Sequence, residues 1–140
     1  MNLLLLGLGH IQSNIMDSVR SYVRGEGLYA KGQKDAVLHL QRYIRTGENA
    51  DYINYQQALL IPLGDRQARI HLQSPEVDSA LVTEGFLQGL NHRDDIPGMI
   101  VFFTRFQHFP YLKEGIVIWT EADGHILELQ SLGEKIYSAK

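Results

Sequence analysis

Apolar residues recur in alternating steps of three and four along two long stretches of this chain, from Ile15 to Tyr43 and from Ile118 to Ile136. That period winds helices around one another, whereas a strand alternates its side chains every second residue. In the first stretch Ile15, Val19, Tyr22, Tyr29, Ala36, Leu40 and Tyr43 fall on one stripe, and Arg20, Arg24, Lys34 and Arg45 fall away from it. In the last stretch Ile118, Ala122, His125, Leu129, Leu132 and Ile136 are spaced four, three, four, three, four. The strong stop signals lie between the two stretches. The sequence therefore predicts an all-α antiparallel bundle of about five helices, its long first and last helices paired and its chain ends at a common pole.

The stretch between them divides at its turn residues. Gly47 suits a left-handed helix end and Asn49 a helix start. A helix follows from Asp51 to Leu72 on Tyr52, Tyr55, Leu59, Leu63, Ile70 and Leu72, with a kink or break expected at Pro62. Ser74-Pro75-Glu76 reads as the start of a shorter helix reaching about Leu90, which Asn91 and His92 end. The block Met99 to Phe106 reads as a buried helix capped by Asp94 or Asp95, because no second β-branched run exists to pair with it as a strand. Pro110 opens the last segment.

At 140 residues the chain suits one domain, with residues 13–140 forming it and residues 1–12 an apolar lead. Leu3, Leu4, Leu5, Leu6 and Leu8 in that lead are too few to span a bilayer, which takes about 20 apolar residues, and read either as a helix turn packed on the core or as the tail end of a membrane helix. Thirteen basic against sixteen acidic residues, with no basic stripe, speak against nucleic acid as a partner. The absence of cysteine removes disulfides, thiol catalysis and thiolate metal sites.

Residues able to carry chemistry are scattered. His92 with Asp94 and Asp95 is the nearest approach to a metal-ligand set and reads as a helix-capping turn, while His125 on the final seam reads as a core histidine. No serine elbow or phosphate loop is present, so no catalytic residue, metal or cofactor is assigned. The candidate ligand site is a pocket between bundle helices, formed by Tyr29, Lys34, His39, Arg42, Tyr43 and Arg69, whose cations and phenols suit a small anion or organic acid. Gly25, Glu26, Gly27 and Gln33 interrupt the first seam and mark its deformable middle.

The run Ser21 to Val37, with its Arg24-Gly25-Glu26-Gly27 and Gln33-Lys34-Asp35-Ala36, resembles the helical periplasmic sensor region of bacterial hybrid histidine kinases and diguanylate cyclases. So do Pro62-Leu63-Gly64-Asp65 with Ala68-Arg69, Asn91-His92 with Asp94-Asp95-Ile96, and Ile118-Trp119 with Ala122-Asp123; Pro97 departs from the pattern and shifts a helix boundary. The resemblance implies a non-catalytic sensory domain on the periplasmic side of the inner membrane, flanked by membrane helices and acting as a homodimer on cytoplasmic kinase or cyclase output. Its input would be a small-molecule ligand or a periplasmic protein. A soluble cytoplasmic helical bundle that binds a partner protein or small metabolite is the alternative.

Overall fold

In the computed structural model, which describes the backbone of residues 2–140 and the side chains of residues 13–140, all regular structure is helical. The side chains of the apolar lead, expected to be the remnant of a membrane helix, lie outside the described residues. Among the described residues no helix is long and apolar enough to cross a membrane. Helix α1 runs Asn2–Thr46, about 67 Å at 1.5 Å per residue, and passes unbroken through Gly25, Gly27 and Gly32. It ends at Gly47, whose φ of 68° lies in the left-handed region and whose N–H donates to Tyr43 O at 2.8 Å.

Helix α2 spans Asn49–Leu72. Asn49 is not its cap. Thr46 Oγ1 accepts the Glu48 N–H and donates to the Asp51 carboxylate at 2.7 Å, which ties the two helix ends together. The break expected at Pro62 does not occur either. Pro62 is buried where α2 packs closely on α1, for a methyl at Gly32 would lie 3.0 Å from Ile61 and Pro62 and 3.1 Å from Ala58 O. Packing there outweighs the lost backbone donor.

Helix α3 spans Ser79–Gln88 and starts four residues later than Ser74-Pro75 predicts. The Asp78 carboxylate decides the position by accepting the N–H groups of Ala80 and Leu81, at 3.0 and 3.2 Å. The helix ends in a paired-carbonyl cap: Leu90 N–H bonds Leu87 O and Asn91 N–H bonds Phe86 O, both at 3.0 Å. Leu90 has a φ of 67° there. A 3-10 turn, Arg93–Asp95, is capped by His92, whose Nδ1 accepts the Asp94 N–H at 3.2 Å. Helix α4 (Ile96–Phe106) and helix α5 (Pro110–Ser138) complete the five.

Contacts fix the direction of α5. Tyr29 bonds Asp123, Tyr43 stacks on Tyr137 with centroids 6.3 Å apart, and Lys140 Nζ donates to Tyr43 O at 3.2 Å. Residue numbers rise together along both helices, so α1 and α5 run the same way. The expected antiparallel pairing of the outer helices is overturned, and with it the common pole for the chain ends. The cause is the count. Helix α2 runs against both, since Tyr52 meets Tyr43 and Tyr137 while Arg69 meets Asp123. Helix α3 reverses on α2, with Gln67 bonded to Leu81 O and Gln88 to Leu60 O. Helix α4 descends along α1, with Arg24 on Asp95 and Ser18 on Gly98 O. A fifth helix that reverses once more regains the direction of the first.

Two apolar cores result. One joins Tyr29, Ala36, Leu40, Tyr43, Tyr52, Tyr55, Leu59 and Ile126, where only α1, α2 and α5 are present. The other joins Ala68, Leu72, Val82, Phe86, Ile96, Met99, Phe103 and Ile116, where α3 and α4 fill the section. Each large side chain buried this way stabilises by about 1.5–3 kcal/mol. Along α5 the buried line is Ile116, Asp123, Ile126 and Gly133, with Trp119 partly buried on it. The expected seam is the neighbouring line: Ile118, His125 and Leu132 are exposed, so His125 is a surface histidine. Ala122, Leu129 and Ile136 are half-buried against the three-helix core.

Candidate functional site

A layer of polar side chains lies between the two apolar cores. Asp123 of α5 is its centre and is buried to 1% exposure. Its Oδ1 accepts from the Tyr29 hydroxyl at 2.7 Å and its Oδ2 from Arg69 Nε at 2.8 Å. Arg69 is itself buried and spends a second donor on Gln73 Oε1 at 2.8 Å. One carboxylate thus holds α1, α2 and α5 at a single level. Burial raises the Asp123 pKa above the usual carboxyl value, and the bonds from Tyr29 and Arg69 and the charges of Arg69 and Arg66 oppose that rise. Burial, followed by the bond to Asp123, raises the Tyr29 phenol well above its ordinary value.

One helical turn from Arg69 on α2, a second buried carboxyl has poorer company. Asp65 accepts from the Asn91 amide at 3.0 Å, and that amide also donates to Phe86 O at 3.1 Å. Burial pushes the Asp65 pKa up to about 8; the Asn91 bond opposes the shift and the charge of Asp123 adds to it. Two glycines make the space. A methyl on Gly89 would collide with the Asp65 carboxyl, and one on Gly25 would stand 2.8 Å from Asn91 Oδ1. Gly25 therefore seats Asn91, while Gly27, with open space around it, seats nothing.

The six residues expected to share a pocket divide. Tyr29 and Arg69 converge on Asp123, as described. Tyr43 lies about 21 Å further along α1, counted at 1.5 Å per residue, in an aromatic cluster with Tyr52 and Tyr137. Lys34 and Arg42 are exposed, and His39 is half-buried with its Nδ1 unpartnered among the described residues. No pocket unites them. A groove of about 720 Å³ lies elsewhere, between the first half of α1 and α4, lined by Ser18, Arg20, Arg24, Asp95, Phe102 and Arg105 among others. No three His, Asp or Glu side chains come together to hold a metal ion among the described residues.

Asp65, Asn91 and Asp123 were missed as a set, although the two aspartates each left a trace. Asp65 falls three residues after buried Pro62 and seven before buried Leu72, at helical spacing from both. Asp123 falls between Trp119 and Ile126 at helical spacing, on a line less apolar than the seam beside it. No protein-family model, curated protein or solved structure matches this chain.

Proposed function

We propose that this chain is a non-catalytic, extracytoplasmic sensory domain of a bacterial transmembrane signalling protein, built as an up-and-down antiparallel bundle that passes on its input by helix displacement. The observation that carries the reading is the polar layer, through which one buried carboxylate ties three helices between two separate apolar cores. A buried ion pair is a costly way to hold helices together: apolar residues of similar volume often do as well or better, and loss of one partner costs about 3–5 kcal/mol. Its advantage is discreteness. The three helices are either registered on Asp123 or they are not, and two-state elements turn displacements of about 1–2 Å into output. The likeness in sequence to periplasmic sensor regions agrees with this reading.

The test places the chain, with its native flanking sequence, ahead of a reporter kinase and compares Arg69→Leu, Asp123→Leu and the double variant. The double variant should fold, as checked by circular dichroism, yet leave the output unresponsive to conditions that drive the parent. A well-folded double variant with the parent's full response would reject the layer as a relay.

The same-direction course of α1 and α5 favours a second reading, a soluble bundle that binds a partner protein. Two membrane anchors leaving from opposite poles cannot enter one bilayer unless a further segment returns along the bundle. Membrane fractionation of the full-length protein separates the two readings.

A further inference from the structure

We propose that the outer face of the α1–α5 pair seats a second copy of this chain, related by a two-fold axis parallel to those helices. Met16, Val23, Ala30, Val37 and Ile44 recur at every seventh position of α1, and all are exposed, Val23 to 63%. Tyr111, Ile118, His125 and Leu132 do the same on α5, with Ile118 exposed to 62%. A strict seven-residue repeat keeps one line facing a partner only when another long helix follows it.

Helical phase puts both lines on one face. On α1, Gly32 touches α2; on α5, Tyr137 stacks on Tyr52 of α2 at 4.4 Å. At 3.5 residues per turn, each exposed line lies about 155° from that α2-facing position, in opposite rotational senses on the two helices. For helices running in the same direction, opposite senses turn both lines toward the side of the α1–α5 pair that α2 leaves open.

Charge selects the occupant. On its outer side the open line of α1 is flanked by Arg20 and Lys34 and that of α5 by Glu114, Glu121, Glu128 and Lys135, while Glu26 flanks the α1 line on its other side. Arg20 and Lys34 of one copy are complementary to the glutamates on the α5 of another, whereas two α1 helices laid together offer only Glu26 against these cations. The offset that pairs Tyr29 with Asp123 and Tyr43 with Tyr137 also sets Arg20 level with Glu114 and Lys34 level with Glu128. A two-fold axis parallel to the helices preserves height, so these levels become facing pairs between copies. From Met16 to Ile44 the face runs about 42 Å, and across two helix widths it offers roughly 800 Å² per copy, the size of a standard stable interface.

The chain has no cysteine, which makes cross-linking clean. Within one copy, positions 34 and 128 point away from each other. Lys34→Cys combined with Glu128→Cys should therefore give a disulfide-linked dimer under mild oxidation, and neither single variant should. By sedimentation, Lys34→Glu should weaken dimerisation about tenfold, and adding Glu128→Lys should restore it. All these positions are on the surface, and circular dichroism verifies that the fold survives. A chain that stays monomeric at several hundred micromolar overturns the proposal, as does a dimer that fails to cross-link at 34 and 128 or ignores the charge exchange.

Discussion

The two buried carboxyls of the polar layer differ in their donors, and the difference sets how each responds to pH. Asp123 accepts from a phenol and a guanidinium, whereas Asp65 accepts from one amide and rises to about 8. In the unfolded chain Asp65 titrates near 3.9. Its folded pKa is raised, so the native state holds a proton that the unfolded state gives up. The stability this contributes is fully present below about pH 4 and is lost as pH rises toward 8, with a slope of at most about 1.4 kcal/mol per unit. Asp65→Asn keeps an oxygen for the Asn91 amide and removes the titration. Urea denaturation across this range should show the variant gaining on the parent as pH increases. A constant difference between them would mean that Asp65 is ionised in the native state. At this scale the sequence was only partly legible, since it offered Tyr29 and Arg69 as polar residues of interest and left out the carboxylate that unites them. A core position occupied by Asp is visible in a sequence only after the core line itself has been chosen correctly.

That choice failed on α5 for an identifiable reason. Two lines of three-and-four spacing run along this helix side by side, and the more apolar one, through Ile118, His125 and Leu132, faces outward. Periodicity shows that a helix exists and that it has a face; it does not say what the face meets. Helix existence and most boundaries were therefore readable from Gly47, Pro110 and the apolar spacing, while the start of α3 was decided by the Asp78 cap and the course of α2 by packing at Pro62. The glycines of α1 show the same division. All of them lower helix propensity, yet only some make room for a neighbour. Gly27 has nothing within 4 Å of an added methyl, so Gly27→Ala should stabilise the domain by about 0.5–1 kcal/mol. Gly25→Ala pushes on Asn91, takes the amide from Asp65 and should cost about 1–3 kcal/mol despite the better propensity. Denaturation midpoints of the two variants should move in opposite directions. In an Asn91→Ala background the penalty at Gly25 should vanish, which assigns it to this contact.

For the molecule as a whole, direction matters more than helix content. An all-helical chain with long first and last helices was apparent from the spacing, but their relative direction depends on how many reversals lie between them. The sequence marked the turns without showing how each helix packs back on the one before. The structure has α1 and α5 climbing together, with Lys140 beside Tyr43 and the first half of α1 beside α4. Asn14 and Lys140 should then be separated by about the length of α1 between Asn14 and Tyr43, roughly 44 Å at 1.5 Å per residue. An antiparallel outer pair would bring these two positions within about 10 Å, the distance between packed helices. Spin labels on cysteines introduced at 14 and 140, the only thiols in the molecule, distinguish these distances directly by pulsed dipolar spectroscopy. A single population near the longer distance establishes the same-direction course. A population at contact distance would place the two ends at one pole, undo the level matching of Lys34 with Glu128 between copies, and remove the geometric case against two anchors in one bilayer.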